Sequence, residues 1–264
     1  MIYVVSAGAW ITGAEPASES RMISNDSPLF RGKQDGAMFV AGVDGCRAGW
    51  VLFKVQPPSL SSAVEIVDLP LFLRQRPVGL ACIGIDIPIG LLDRPRACDV
   101  AARDLLGQPR GCSVFPTPCR AAVQAANYSE ACEVNQARAG RRISRQAWGI
   151  AAKIKQVDDV LTPEHQRWAF EVHPEVCFWG MNERRPMLHV KKSAAGLVER
   201  RHLLQSFLPS IDRHLAERPR GVAADDLLDA AAAAWTALRY AKGESESVCL
   251  PERDARGLAA SIVF

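Results

Sequence analysis

Phe39-Val40-Ala41-Gly42-Val43-Asp44, Trp50-Val51-Leu52-Phe53-Lys54-Val55 and Val64-Glu65-Ile66-Val67-Asp68 follow one another with Gly and Pro clusters between them. Short runs rich in β-branched and aromatic residues, bounded by turn formers, predict strands, and the short connections predict a three-stranded meander. Leu69 to Arg76 supplies a short helix. Leu80-Ala81-Cys82-Ile83-Gly84-Ile85-Asp86 is apolar until its last residue. It therefore predicts a strand buried on both faces, reached by a crossover and paired in parallel.

Beyond Pro88 the period changes to that of helices, expected at Cys98 to Leu106, Arg120 to Ala126, Ser129 to Ala139, Arg145 to Leu161, Ala194 to Phe207 and Asp226 to Lys242. Gly107 and Gly140 stand where C-terminal caps belong, and Ser129 and Ser144 where N-caps belong. Pro118 and Pro163 suit first helical turns. One more strand, Trp168-Ala169-Phe170-Glu171-Val172, lies between helices.

With 264 residues, 48% of them apolar, the chain can bury one substantial core, so a single domain over 38–264 is expected. Residues 11–37 show no sustained period, which predicts a flexible N-terminal extension over 1–37 and makes Met38 a candidate start. The opening apolar stretch lacks the positive flank of a secretory signal. Every longer apolar run is interrupted by charge, so no membrane span is expected. The eight cysteines include no C-x-x-C pair, which fits reduced thiols and a cytoplasmic location. A net charge of +3 does not by itself announce a nucleic-acid partner, so any basic footprint must be local.

Asp44 and Asp86 each close an apolar run, where a carboxylate is costly unless it is paired, hydrogen-bonded or bound to metal. Mg²⁺ or Mn²⁺ takes oxygen ligands and keeps several waters, so a few convergent aspartates suffice to hold it. Asp225, Asp226 and Asp229 open the last helix, and Asp229 shares a face with either of the others. Asp225 reads as an N-cap. Asp229, set among Leu227, Leu228 and the alanine run 230 to 234, is the preferred third ligand, with Asp226 as the other metal candidate.

Val43-Asp44-Gly45-Cys46-Arg47-Ala48-Gly49-Trp50, Ile85-Asp86-Ile87-Pro88-Ile89-Gly90, Ser113-Val114-Phe115-Pro116-Thr117-Pro118 and Phe170-Glu171-Val172-His173-Pro174-Glu175 occur in this order. Together they resemble domain-of-unknown-function family 429, regarded as predicted nucleases of the RNase H-like fold. The likeness implies an α/β architecture: a mixed sheet of three antiparallel strands followed by parallel ones, flanked by helices, with the first strand central. Relative to a minimal core it implies a helical insertion at about 94–165, while residues 1–37 have no counterpart. It places Asp44 and Asp86 on adjacent strands and draws the remaining ligands from the last helix. There, Asp226-Leu227-Leu228-Asp229-Ala230 is similar to the acid-x-x-acid-Ala pattern of Holliday-junction resolvases, which leaves the choice between Asp226 and Asp229 open.

Glu171 and His173 alternate about a strand end and are candidates for general acid or base work, against a structural reading in which His173 bonds the loop and Glu175 serves a helix start. Arg138, Arg141, Arg142, Arg145, Lys153 and Lys155 form a stretch without an acid, a candidate phosphate-binding surface. Arg120 is a further substrate candidate. Trp148 within that stretch could stack on a base, but a core anchor is the preferred reading. Lys191-Lys192-Ser193 precedes a helix whose amides could receive a phosphate, and a surface loop is the preferred reading.

The expected function is thus metal-dependent hydrolysis of nucleic-acid phosphodiesters by a two-metal carboxylate mechanism. The catalytic candidates are Asp44, Asp86, Asp226, Asp229, Glu171 and His173. A non-catalytic RNase H-like scaffold is the alternative. An actin-like phosphotransferase ranks lower, because it needs a second phosphate loop and only one Asp-Gly hairpin occurs.

Overall fold

The computed structural model describes residues 3–6, 9–10 and 38–264. It opens with two short strands, β1 (Tyr3–Ser6) and β2 (Ala9–Trp10). The rest of the extension expected over 1–37 lies outside the described residues. β3 (Phe39–Cys46), β4 (Gly49–Gln56) and β5 (Ser61–Val67) form an antiparallel meander. α1 (Leu69–Gln75) then crosses over to β6 (Leu80–Ile85), which runs parallel to β3.

The helical segment follows as α2 (Ala97–Arg110), α3 (Arg120–Val123), α4 (Tyr128–Ala139), α5 (Arg145–Gly149) and α6 (Ala151–Asp158). β7 (Ala169–Glu171) pairs in parallel with β6, giving a five-stranded mixed sheet in the order β5-β4-β3-β6-β7. α7 (Pro174–Met181), α8 (Ala194–Gln205), α9 (Ile211–Ala216) and α10 (Ala224–Lys242) complete the helices. Of three last short strands, β8 (Ser245–Ser247) pairs with β1, and β9 (Glu252–Arg253) pairs with β10 (Ala259–Ala260).

The burial of each strand follows its apolar content. β6 is buried at every position and β3 at all but one, as all-apolar runs in the middle of a sheet require, whereas β5 at the edge leaves alternate residues in water. α10 packs across β3, β4 and β6 and owes its fit to the alanines 230 to 234, all fully buried. It ends at Gly243, whose φ of 73° is the left-handed cap conformation.

Several expected boundaries move. The helix expected over Arg145 to Leu161 is two helices, because Gly149 is a poor helix former and Ile150 adopts a non-helical φ of −108° and ψ of 2°. Asn127, not Ser129, caps α4, its side chain accepting from the Glu130 amide at 3.0 Å. Ser144 caps α5 as expected. Pro118 stands ahead of the N-cap Cys119 rather than inside α3, and Pro163 leads only into a 3-10 turn, His165–Arg167.

Asp225 is not the N-cap of α10. The helix begins two residues earlier than expected, at Ala224, and Asp226 closes its start by accepting from the Ala223 amide at 3.1 Å. No helix among the described residues is long and apolar enough to cross a membrane. The eight cysteines are free thiols, six of them buried.

Candidate metal centre

Gly42 on β3 and Gly84 on β6 are register partners, and both lie under α10. A Cβ on Gly42 would meet the Ala230 carbonyl oxygen at 2.2 Å, and one on Gly84 would meet that of Ala233 at 2.9 Å. Only glycine permits this approach. Side chains two apart on a strand point to the same face, so Asp44 and Asp86 emerge on the helix side just beyond the contact. Asp229 precedes the first touching alanine and meets them there.

Single carboxylate oxygens of Asp44, Asp86 and Asp229 all lie within 4.8 Å of one another. Asp44 is buried, Asp229 fully so, and Asp86 partly exposed. Like charges this close repel by about 3 kcal/mol per pair at an effective dielectric of about 20. All three carboxyls are held above the usual range, by burial first. Burial raises Asp44 most, followed by the charges of Asp86 and Asp229. Asp86 is pushed up to about 7 by burial and then by Asp229. Burial raises Asp229 while Lys191 opposes the shift, its Nζ donating to Asp229 Oδ2 at 2.7 Å.

Asp229 Oδ1 is buried without a hydrogen-bond partner. Three hard oxygen donors, one of them unsatisfied, carry more negative charge than Lys191 balances. Hard oxygen donors suit a divalent cation such as Mg²⁺ or Mn²⁺, and ligand oxygens at about 2.1 Å from Mg²⁺ stand roughly 3–4 Å apart. The residues present fit such an ion.

The cluster lies at a cleft of about 370 Å³ whose lining includes Phe115, Thr117, Gln146, Ile150, Lys153, His173, Lys191 and Lys192. Asp226 also lines it, outside the group of three, with one oxygen committed to the Ala223 amide. Asp225 approaches Lys192 Nζ at 3.9 Å. His173 is the N-cap residue of α7, and its Nδ1 is buried without a partner. Burial and then Lys191 push its pKa down to about 4, so the ring is neutral at pH 7.

Glu171 lies in the cleft wall but is already engaged. It accepts from Arg96 Nη1 at 2.7 Å, Arg96 Nη2 at 2.8 Å and the Ile89 amide at 2.7 Å. Arg96, fully buried, also pairs with Asp99, which accepts from the Thr117 amide at 2.9 Å. This network fixes the loop after β6 against the start of α2.

Of Arg120 and the basic stretch from Arg138 to Lys155, only Lys153 reaches the cleft. Its stem covers Gly45, its Nζ donates to the Gly49 carbonyl at 2.5 Å, and it stands over the Trp50 ring. Arg120 is turned away, bound to Asp158 at 2.8 Å and to Asp254. Arg145 stacks on Tyr128 at 3.9 Å, and Lys155 pairs with Asp159 at 2.6 Å. Arg141 and Arg142 are exposed and outside the cleft lining. These five do not form one surface with the acids: Arg120, Arg145 and Lys155 are engaged elsewhere, and Lys155, two residues from Lys153 on α6, faces another way. Trp148 packs as an anchor beside Tyr128.

The sequence reading passed over Lys191 as loop, and it missed Arg96, Asp99 and the two glycines. One signal was available: Gly42-Val43-Asp44 and Gly84-Ile85-Asp86 repeat a Gly-x-Asp step on neighbouring strands.

Comparison with curated proteins and with solved structures gives no significant match. The family model described as protein of unknown function (DUF429) matches residues 42–256, from β3 through β9, and the chain belongs to that family.

Proposed function

We propose that this chain is a metal-dependent hydrolase of nucleic-acid phosphodiesters, built on an RNase H-like sheet. The observation that carries the reading is the convergence of Asp44, Asp86 and Asp229, from two adjacent parallel strands and the last long helix, to within 4.8 Å. The strand order β5-β4-β3-β6-β7, with the Asp44 strand central, supports the fold assignment.

Asp44, Asp86 and Asp229 would hold Mg²⁺ or Mn²⁺, with Asp226 beside them. Bound there, the ion supplies an activated water and neutralises charge on the leaving oxygen. The protein's own groups do the rest. Lys153 and Lys192 bring positive charge to the cleft for the phosphate chain. Neutral His173 offers a hydrogen-bonding nitrogen beside the acids. The Arg96–Glu171 network holds the wall rigid, so its carboxylate serves position rather than proton transfer.

A non-catalytic scaffold would be favoured by acids held apart, or paired with nearby arginines such as Arg47 and Arg94. The acids are clustered, and Arg94 pairs with Glu252 at 2.9 Å, which weighs toward catalysis. The test is incubation of purified protein with Mg²⁺ or Mn²⁺ on labelled single-stranded, duplex and branched DNA and RNA. Cleavage that disappears in Asp44→Asn and Asp86→Asn is expected. No cleavage of any substrate, with metal affinity unchanged in both variants, would sink the reading.

A further inference from the structure

Lys191 is the one cation in contact with the acid cluster among the described residues. Its Nζ lies 2.7 Å from Asp229 Oδ2, and it also feels the charges of Asp86 and Asp44. The attraction is strong enough to raise the lysine well above its ordinary range, with Asp229 the largest cause.

The loop that delivers it is pinned from below. Glu199 accepts from the amides of Leu188 at 2.7 Å and His189 at 3.0 Å. Arg200, fully buried and paired with Glu175 at 2.5 Å, donates to the His189 carbonyl at 3.2 Å. Ser193 then caps α8 through the Gly196 amide at 3.0 Å. The backbone on both sides of Lys191 is therefore fixed, while its side chain stays 40% exposed to the cleft. An ammonium on a flexible stem can leave the cluster without any movement of the loop.

We propose that Lys191 is a tethered counter-ion: it balances the three aspartates in the metal-free protein, and a divalent cation must displace it from Asp229 to bind. This rests on the metal-centre reading above and adds an exchange to it. The physical basis is competition for one set of oxygens. Three carboxylates hold a divalent ion against their mutual repulsion, and an ammonium already bound to one of them reduces the charge the ion meets. The exchange has a second result. Once displaced, the ammonium stands in the cleft beside Lys192, where a phosphate oxygen can take the place of the Asp229 carboxylate. Lys191 is thus a positioning residue whose partner switches from ligand to substrate as metal loads.

The test is isothermal titration of Mg²⁺ and Mn²⁺ into wild-type protein and into Lys191→Met, Lys191→Gln and Lys191→Arg. Thermal midpoints with and without metal accompany each titration. Lys191→Gln keeps a hydrogen-bond donor near Asp229 without the charge, so it covers the case in which Lys191→Met fails to fold. The expected result is metal binding at least about tenfold tighter in Lys191→Gln and Lys191→Met, and near wild type in Lys191→Arg. The metal-free midpoint should fall and the metal-induced rise should grow in both neutral variants.

Wild-type binding with equal or weaker affinity in the neutral variants overturns the exchange and leaves the metal centre standing. Absence of metal binding in wild type and variants alike overturns both.

Discussion

Gly42 and Ala234 meet backbone to backbone: a Cβ on Gly42 would stand 2.1 Å from the Ala234 nitrogen. The contact sets the height of α10 over the sheet, and with it the distance from Asp229 to Asp44 and Asp86. Gly42→Ala is expected to destabilise the protein by about 3 kcal/mol, at the upper end for overpacking. Metal affinity should fall with it, because the helix must lift. Urea unfolding and metal titration of the variant check both.

Removing one negative charge from the cluster should separate stability from metal binding. At pH 8 without metal, Asp86→Asn is expected to be more stable than wild type by about 1–3 kcal/mol, since a buried repulsion is relieved. The same variant should lose most of the thermal stabilisation given by Mg²⁺. Scanning calorimetry with chelator and with metal reads both effects.

The pH dependence has a definite sign. Burial and then Asp229 raise Asp86 to about 7 in the folded protein, against an ordinary value of 3.8. Between those limits the folded state holds more protons than the unfolded one, so metal-free stability is greatest below about pH 4 on this account and declines as pH rises through 7. Metal binding should follow the opposite course, strengthening as pH rises through 7 because the ion competes with the same protons. Melting curves from pH 5 to 8.5, with chelator and with Mg²⁺, should diverge across that window.

Glu171 tests whether a residue in the cleft wall acts chemically or mechanically. Glu171→Gln removes one of the two carboxylates on the fully buried Arg96, leaving Asp99 to balance its charge, and the loss of charged hydrogen bonds is expected to cost about 1.5–3 kcal/mol. Loss of activity at 37 °C with recovery at low temperature would mark a role in holding the wall. A fully stable variant without activity would contradict that assignment.

Lys153 and Arg120 should differ in their effect on nucleic-acid binding. Lys153→Ala is expected to lower the slope of log affinity against log salt by about 0.7–0.9, the loss of one phosphate contact. Arg120→Ala should leave that slope unchanged and lower stability, because its guanidinium is bound to Asp158 and Asp254. Fluorescence anisotropy at several salt concentrations distinguishes them.

The sheet was legible in the sequence because its central strands are apolar runs ended by single acids, and burial leaves such runs few other places. Asp44 and Asp86 were legible for the same reason. α7 was not, since Pro174–Met181 is buried on nearly every side and carries no amphipathic period. α9, only six residues long, was missed as well. Lys191 was illegible because its importance comes from a loop pinned by Glu199 and Arg200, both placed by tertiary contacts. The basic stretch was ambiguous because charge along a sequence says nothing of direction: Lys153 and Lys155, two apart on α6, face different ways.

Lys153 ties α6 to the hairpin between β3 and β4, and Arg256 ties the far end of that helical segment to the chain's last segment through the Leu161 carbonyl at 3.1 Å. One bank of the cleft therefore belongs to what looks, on paper, like an accessory. Trimming residues 94–165 would not yield a smaller working unit. It would leave the aspartates on an open slope, with one wall of their cleft gone.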